Sequence, residues 1–460
     1  ILLNSMQMTI VYSASLWFRK RAGKALGYSF LIVAWLAWEH FYYNAEISWP
    51  WLTLGNGLAT THKNIQWYEY TGVLGGSLWI LVTNIMIFEF TGIVSRVERW
   101  VSAAGKSISK PERAPVKRGK TKSELILFIL TLFVIHTPFV YSQIMYDRYK
   151  ERKNGVEVVV LQPNIDPYAD KFGGMSQYEQ DIKLLEIASR GVTKNTKLIV
   201  APETFTSYVV ENMPEKNSTV LIFQDFLRSY PNSSMLFGAT TYNFYTENGS
   251  SLEQRPNYTA RKSGDGTWYD AFNSAIYMDS TGVVNIYHKS KLVVMVEMLP
   301  YPKYLPFLSS LSVNLGGISG SLAKQKEREV FESPLNRGLI TGAAICYESV
   351  FGDFYRDYVL KGANMMSIIT NDGWWGDTPG YRQHLRYAQL RAIETRRSIA
   401  RSANTGISAI IDQRGDIVQQ SSWWSEAYLR GELNLNDKIT IFVKYGDYIG
   451  RVAQFAIFLF

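Results

Sequence analysis

The hydrophobic pattern divides the chain into two unlike parts. Before residue 145 lie four apolar stretches, Leu2–Phe18, Gly27–Tyr43, Tyr68–Phe90 and Leu125–Val140, in which nonpolar residues occupy every side of a helical projection. A helix needs about twenty predominantly apolar residues to cross a bilayer. The third stretch meets that length, while the others are shorter or polar-tinged. All four are expected as transmembrane helices. The competing reading, buried helices of a soluble domain, calls for a polar face that these stretches lack. From about Val156 to Leu435 short β-branched runs alternate with amphipathic segments. Val156–Gln162, Leu198–Ala201, Met235–Thr240, Ser274–Met278, Leu339–Ile345, Met365–Thr370 and Ile407–Asp412 read as strands. Gln177–Arg190 and Gln383–Ile399 read as helices, the second with Leu385, Ala388, Ala392 and Thr395 along one side. Such alternation predicts a layered α/β domain. The end of the chain, Tyr448–Phe460, closes on an apolar run and is expected to begin a final span. The expected organisation is membrane helices with basic loops over 1–145, an α/β domain over 146–440, and the start of a C-terminal membrane helix over 441–460.

Charge orients this arrangement. Arg19, Lys20, Arg21 and Lys24 separate the first two stretches, and residues 96–122 carry nine Lys/Arg against two Glu. Cytoplasmic loops are enriched in Lys and Arg, so both segments are expected on the cytoplasmic side and the α/β domain on the other. Arg148, Lys150, Arg152 and Lys153 run against that assignment, but large domains translocate largely regardless of charge. The net charge of +8 sits beside apolar spans, which fits membrane flanks better than a nucleic-acid face. Many Trp and Tyr residues stand at the ends of the apolar stretches, as interfacial anchors do. The chain opens at Ile1 in apolar sequence, and a cleavable signal peptide is not visible. A single cysteine, Cys346, allows no intramolecular disulfide. The histidines (His40, His62, His136, His288, His384) are scattered without an HExxH or a Cys/His cluster, so neither a metal site nor a cofactor is expected.

Three short segments carry candidate chemistry. Leu198-Ile-Val-Ala-Pro-Glu203 ends an apolar strand on a carboxylate, at the strand edge where open α/β sheets place their sites. Tyr287-His-Lys289-Ser-Lys291-Leu-Val-Val-Met-Val-Glu297 lies in a loop after a strand, and Leu339–Cys346 ends a buried strand on the thiol, followed by Tyr347 and Glu348. A free thiol, with a pKa of about 8.5, is mostly protonated at neutral pH. A carboxylate can take its proton, and an ammonium can favour the thiolate and then an acyl oxyanion. Each residue also has a plain reading: Cys346 as a buried core residue, Glu203 as a helix cap, Lys289 and Lys291 as solvated surface lysines. The ordered triple near strand ends favours chemistry. No GxSxG elbow, P-loop or dinucleotide fingerprint competes.

The order Glu, Lys, Cys, with Pro-Glu, Tyr-x-Lys and Cys-Tyr-Glu, resembles the nitrilase superfamily, and more narrowly the bacterial apolipoprotein N-acyltransferases. Their lysine segment reads Tyr-x-Lys-x-x-Leu-Val-Pro-Phe-Gly-Glu. Tyr287, Lys289, Leu292, Val293 and Glu297 match it, while Val294, Met295 and Val296 replace Pro, Phe and Gly. Gln162-Pro-Asn164-Ile165, Thr370-Asn371-Asp372-Gly-Trp374-Trp375-Gly376, Gln383-His384, Arg391-Ala-Ile-Glu394, Arg397 and Asn404-Thr-Gly406 extend the resemblance. Glu39, Trp49-Pro50-Trp51, Leu54-Gly55, Ile65-Gln66 through Gly72, and Asn84 carry it into the membrane part. It implies an αββα nitrilase-type sandwich attached to a transmembrane helical bundle, multi-pass in the bacterial cytoplasmic membrane with the catalytic domain on the periplasmic side. It also implies Cys346 as nucleophile, Glu203 as general base and Lys289 as oxyanion stabiliser, with Glu297, Tyr347 and Glu348 in support. The implied reaction passes an acyl chain from a phospholipid through a Cys346 thioester to the α-amine of a diacylated apolipoprotein. A bilayer setting and a monomer are implied, with no metal or nucleic acid.

Met295, Val296, Met298, Leu299, Tyr301, Tyr304, Leu305 and Phe307, and separately Trp374 and Trp375, are apolar where a domain surface needs a reason for them. They are expected to line a lipid entrance or rest on the bilayer, the alternative being ordinary packing between loops. Two other functions remain open on sequence: a membrane-anchored nitrilase-like amidase that passes the acyl group to water, and a catalytically silent lipid-binding scaffold.

Overall fold

The four apolar stretches form helices, α1 (Leu2–Ala22), α2 (Lys24–Asn44), α3 (Tyr68–Thr91) and α4 (Lys122–Arg148); α3 matches its stretch to within one residue, and the others outrun theirs by a turn or more. The structure, a computed structural model, describes residues 2–92, 122–171, 173–247, 250–252, 254–302, 304 and 321–460. The basic segment up to residue 121, and Leu305 and Phe307, lie outside the described residues. Among the described residues two helices are long and apolar enough to cross a membrane, α3 over Tyr68–Glu89 and α4 over Leu125–Arg148. On α4, Ile126, Ile129, Phe133 and Val140 are each more than half exposed. Such a surface suits hydrocarbon rather than water, because a helix satisfies its own backbone and needs only apolar neighbours. Near its start α3 is broken at Gly72, whose φ of 61° and ψ of −169° suit glycine; a Cβ there would lie 2.4 Å from the Phe442 ring.

Lys24 and Tyr28 of α2 both bind the Glu89 carboxylate of α3. The Arg19–Lys24 cluster and the end of α3 therefore lie at one end of the helices. The α/β domain joins at the other, where Tyr43 packs on Phe351 and Arg396 donates to the Gln66 side chain at 2.6 Å.

In chain order the first strands are β1 (Gly155–Gln162), β2 (Thr196–Val200), β3 (Thr206–Val210), β4 (Ser234–Glu247), β5 (Ser250–Ser251), β6 (Arg261–Lys262), β7 (Trp268–Asp279) and β8 (Gly282–His288). Then come β9 (Val330–Phe331), β10 (Thr341–Ile345), β11 (Met365–Thr370), β12 (Ile399–Ala403), β13 (Ala409–Ile411), β14 (Ile417–Gln420) and β15 (Ala427–Asn434). Among the described residues they make two sheets. A nine-stranded sheet runs β15-β1-β2-β4-β7-β6, with β3 and β5 on β4 and β8 on β7; a six-stranded sheet runs β14-β13-β12-β11-β10-β9. Alternate side chains of β1 separate the layers. Val158 and Val160 join Leu198, Val200, Ala344 and Ile368 in the largest core, whereas Val159 and Leu161 pack with α5 (Gln177–Gly191) and α6 (Ser218–Arg228). Helices α7 (Gly352–Leu360) and α8 (Gly380–Thr395) cover the second sheet, completing an αββα sandwich.

Several sequence-based boundaries move. The helix expected over Gln383–Ile399 spans Gly380–Thr395, and Ile399 opens β12 beside Met366 of β11. Arg396 ends the helix with a φ of 50°, and buried Arg397 binds the carbonyls of Ala363 and Thr395, contacts that helical periodicity cannot report. The strand at Met235 runs on to Glu247 because β7 pairs with it along its length. Leu198–Ala201 becomes Thr196–Val200, Leu339–Ile345 starts at Thr341, and Ile407–Asp412 shrinks to Ala409–Ile411. Strands β3, β5, β6, β8, β9, β12, β14 and β15 and helices α6 and α7, as well as the short α9 (Ile441–Tyr445) that follows the domain, had no sequence counterpart. Beyond α9, helix α10 (Tyr448–Ala456) places Ala453 in one apolar cluster with Leu36 of α2 and Leu81 of α3.

Candidate active site

Glu203 stands three residues past β2, where the chain crosses β4 at Gly238. The Phe205 N–H donates to the Gly238 carbonyl at 2.7 Å, and the Gly238 N–H to the Pro202 carbonyl at 3.0 Å. A Cβ on residue 238 would lie 2.4 Å from the Thr204 nitrogen and 2.5 Å from the Glu203 Cα, so only glycine admits this crossing. Glu203 is buried and caps no helix. Its Oε1 accepts from Lys289 Nζ at 2.9 Å and Asn273 Nδ2 at 2.8 Å, and its Oε2 from the Asn371 N–H at 3.0 Å.

Lys289 follows directly on β8 and is buried, not a surface lysine. Its ammonium also donates to Glu297 Oε1 at 2.9 Å. Asn273 of β7 donates to Glu297 Oε1 at 2.8 Å, and Glu297 Oε2 accepts from the Val293 N–H at 2.7 Å. The altered Val294–Val296 stretch thus closes a turn, with Met295 at φ 68°, that returns Glu297 to the lysine. Burial alone would push Glu203 up, but the Lys289 ammonium and the Lys289 and Asn273 hydrogen bonds hold it below the usual carboxylate range. Burial would likewise lower Lys289, yet Glu203 and Glu297 hold it well above an ordinary lysine. The pair therefore rests as ammonium and carboxylate.

Cys346 ends β10 with a φ of 49°, in the left-handed region that ordinary residues avoid, and starts a 3₁₀ turn over Cys346–Val350. Burial pushes its thiol up strongly, reinforced by the charge on Glu203 and only partly opposed by Lys289. The resting group is a neutral thiol beside an ionised carboxylate. Its carbonyl accepts from Ser349 Oγ at 2.8 Å and lies 3.1 Å from His384 Nε2. His384 Nδ1 is 3.0 Å from Asp372, which also accepts from Arg401 at 2.6 Å, all three side chains being buried.

Glu348 joins the lysine and cysteine segments. Its Oε1 accepts from Tyr287 at 2.8 Å and the Ser290 and Lys291 N–H groups at 2.6 and 3.2 Å. Its Oε2 accepts from the Ile345 N–H at 2.8 Å and Tyr358 at 3.2 Å. Tyr347 points the other way, donating to the Ser48 carbonyl at 2.9 Å, next to Trp49-Pro50-Trp51. Trp51 stacks on Tyr387 at 5.3 Å and meets Trp375 edge-on at 5.2 Å.

The family model described as carbon-nitrogen hydrolase matches residues 158–440, more than half of the chain. The chain belongs to the carbon-nitrogen hydrolase family. A second model, described as the N-terminal domain of apolipoprotein N-acyltransferase, matches residues 1–86. A relative named apolipoprotein N-acyltransferase from Chlorobaculum tepidum is 29% identical over 456 residues, covering 95% of this chain and 76% of its own. One of the same name from Geobacter metallireducens is 28% identical, covering 95% of this chain and 74% of its own. Among solved structures, Saccharomyces cerevisiae Nit3, a member of branch 10 of the nitrilase superfamily, superposes with a TM-score of 0.42 at 16% identity, covering 61% of this chain and 90% of that one.

In this carbon-nitrogen hydrolase the structure gathers Glu203, Lys289 and Glu297 in one hydrogen-bonded group, and Glu348 ties the lysine loop to the end of the cysteine strand. Several neighbours escaped the sequence reading. Asn273, which bridges both carboxylates, carries no motif; a buried asparagine beside the Ser274–Met278 run is its only trace. Gly238 shows only as a glycine inside a strand pattern. Lys171 donates to Thr204 Oγ1 at 3.0 Å and to the Glu203 carbonyl at 3.4 Å, and burial lowers it to about 8 against the pull of Glu203. The expected lipid-entrance residues divide. Met298 packs inside with Ala271, Leu292 and Leu322, while Met295 and Val296 are half-buried and Tyr304 is exposed. Tyr301 is tied to Glu46 by two hydrogen bonds, at 3.3 and 2.6 Å. Trp374, half-buried, meets Tyr168 edge-on at 5.3 Å.

Proposed function

We propose that this chain moves a fatty acyl group from a phospholipid to the α-amine of the N-terminal diacylglyceryl-cysteine of apolipoproteins, through a thioester on Cys346. One observation carries the reading: relatives named apolipoprotein N-acyltransferase match over 95% of the chain, membrane part included, and that part reaches the site through Ser48 and Trp51. An anchor alone would need no such loop. The Arg19–Lys24 cluster at the far end of the helices, together with the basic composition of residues 96–122, supports a multi-pass enzyme in the cytoplasmic membrane with its catalytic domain on the periplasmic side.

In the first step Glu203 takes the Cys346 proton as Sγ bonds to the ester carbonyl carbon, and the Lys289 ammonium faces the oxyanion. Collapse breaks the carbon–oxygen ester bond, and the departing lysophospholipid oxygen takes the proton from Glu203. In the second step an uncharged α-amine attacks the thioester carbon; the carbon–nitrogen bond forms, the carbon–sulfur bond breaks, and the amine proton returns through Glu203 to Sγ. Glu297 and Asn273 keep Lys289 and Glu203 in register, and Glu348 and Tyr347 hold the two loops. Apolar walls that limit water protect the thioester from hydrolysis.

The test is peptide mass spectrometry of the detergent-purified protein after incubation with phospholipid. An acyl mass on the Cys346 peptide, absent in Cys346→Ala and discharged by a diacylated lipopeptide, is the expected result. Discharge by water at the same rate would assign an amidase-like hydrolase instead, and no adduct with any donor would refute the thioester.

A further inference from the structure

Behind Cys346 lies a group of charged side chains that no step of the proposed chemistry uses. His384, in the first turns of α8, Asp372, just past β11, and Arg401 of β12 are all buried. Asp372 Oδ2 accepts from Arg401 Nη2 at 2.6 Å; its Oδ1 accepts from Thr370 Oγ1 at 2.8 Å and lies 3.0 Å from His384 Nδ1. Arg401 Nη2 is also 3.2 Å from that ring nitrogen. Ionisable groups taken out of water add little stability even when paired, and apolar packing of the same volume often serves a core as well. The network therefore calls for a reason beyond packing.

Its other end meets the carbonyl of the nucleophile itself. His384 Nε2 lies 3.1 Å from the Cys346 carbonyl oxygen and 2.8 Å from Ser349 Oγ, and Ser349 Oγ donates to the same carbonyl at 2.8 Å. A carbonyl only accepts, and the Ser349 hydroxyl has spent its proton on it, so His384 Nε2 carries a hydrogen and donates to both. Asp372 and Arg401 hold the ring from the Nδ1 side and so aim that hydrogen. Two donors from two elements thus fix the carbonyl of a residue whose φ of 49° lies in the left-handed region.

Fixing this carbonyl also fixes the group on the far side of the peptide. A peptide unit is planar and trans, so its C=O and N–H point in opposite directions. With the Cys346 oxygen turned onto His384, the Tyr347 N–H is turned away from it. Among the described residues that N–H donates to no acceptor. When Sγ bonds to an ester carbon, the carbonyl electron pair moves onto oxygen. An N–H already held in place, added to the Lys289 ammonium, stabilises that charge without reorienting. We propose that His384 is a positioning residue for acyl transfer: backed by Asp372 and Arg401, it holds the Cys346–Tyr347 peptide with the Tyr347 N–H set for the acyl oxyanion. The inference rests on the acyl chemistry proposed at Cys346 and adds to it a side chain that acts only through the backbone.

Two reactions of the same thiol separate this role from plain packing. Alkylation by iodoacetamide displaces iodide from a saturated carbon and forms no oxyanion, whereas acylation by p-nitrophenyl butyrate passes through one. Both are followed in single turnover on the full detergent-purified chain, by the mass of the Cys346 peptide. His384→Leu is expected to slow acylation by about tenfold or more while alkylation stays within about twofold of the parent. Ser349→Ala removes the other donor with little change of volume and should show the same selectivity with a smaller loss, about threefold. His384→Gln, whose amide N–H can reach the carbonyl while its oxygen accepts from Arg401, should recover most of the rate. Equal slowing of both reactions in His384→Leu would overturn the proposal and make His384 a packing residue, as would full-rate acylation in that variant. Should His384→Leu not fold, Ser349→Ala decides: equal effects on the two reactions there overturn the proposal. A parent chain that is alkylated but takes an acyl group from no ester would overturn the thioester reading and this inference together. Acylation of the parent without selectivity in the variants would overturn this inference alone.

Discussion

Asn273→Ala tests the tuning of Glu203 as the proposed general base. The Asn273 amide is one of three donors to the Glu203 carboxylate, the others being Lys289 and the Asn371 N–H. A hydrogen bond to a charged group contributes roughly 1.5–3 kcal/mol, and one pKa unit corresponds to about 1.36 kcal/mol. Losing the amide should therefore raise the Glu203 pKa by about one to two units. The lower figure is expected, because the ammonium remains at 2.9 Å and water can enter the space the side chain leaves. A protonated Glu203 cannot accept the thiol proton, so the acid limb of the kcat/KM profile moves up by about one unit, while the rate well above the limb falls by less than about tenfold. The same linkage acts on stability. A depressed carboxylate pKa stabilises the fold above its unfolded value, and that stabilisation is lost as pH falls through the folded value. The variant should accordingly be less stable near neutrality and approach the parent in strong acid. Asn273→Asp places a third carboxylate beside Glu203 and Glu297 and should move the limb further in the same direction. The assay is the pH dependence of lipopeptide acylation, alongside iodoacetamide labelling of Cys346 as a check on folding. An acid limb that stays in place in both variants, with the site folded, would refute Glu203 as the titrating base.

Glu348→Gln replaces an acceptor for five donors with a group that must itself donate, facing backbone N–H groups on at least one side. It should cost roughly 3 kcal/mol of stability in a melting experiment and slow Cys346 acylation more than it weakens donor binding. Gly238→Ala sets a methyl group 2.4 Å from the Thr204 nitrogen. The overpacking should cost about 1–3 kcal/mol, and displacement of Glu203 should lower kcat by on the order of 10²-fold, read from single-turnover acylation. Trp374→Ala with Trp375→Ala should slow the use of phospholipid while leaving the reaction of Cys346 with a small soluble thiol reagent unchanged; an equal loss of both would reject a lipid-contact role.

The parts of this protein legible from its sequence are those that depend on local pattern. Apolar residues on every side of a helix announce the helices before residue 145, because the solvent each face requires is a property of the side chains themselves. The alternation of β-branched runs with amphipathic segments announces layered sheets, and the strand-end positions of Glu203 and Cys346 follow from runs that stop on a polar residue. The ordered triple and its resemblance led to a carbon-nitrogen hydrolase. Boundaries were less legible. Ile399 reads as helix by spacing and is strand because β11 offers it a partner, and β4 doubles its expected length because β7 lies beside it.

The tertiary structure alone decided what brings distant groups together. Asn273 matters because β7 runs between two carboxylates far from it in the chain, and Gly238 because another segment crosses its backbone within contact distance. The direction of each charge shift belongs to the same class. A lysine that sequence cannot distinguish from a surface residue becomes, at Lys289, an ammonium locked between Glu203 and Glu297, and at Lys291 a side chain that donates to the Tyr43 carbonyl over the Phe351 ring. Residue type sets what a group can donate or accept. Burial and neighbours set which form it takes, and these exist only once the sheets have stacked.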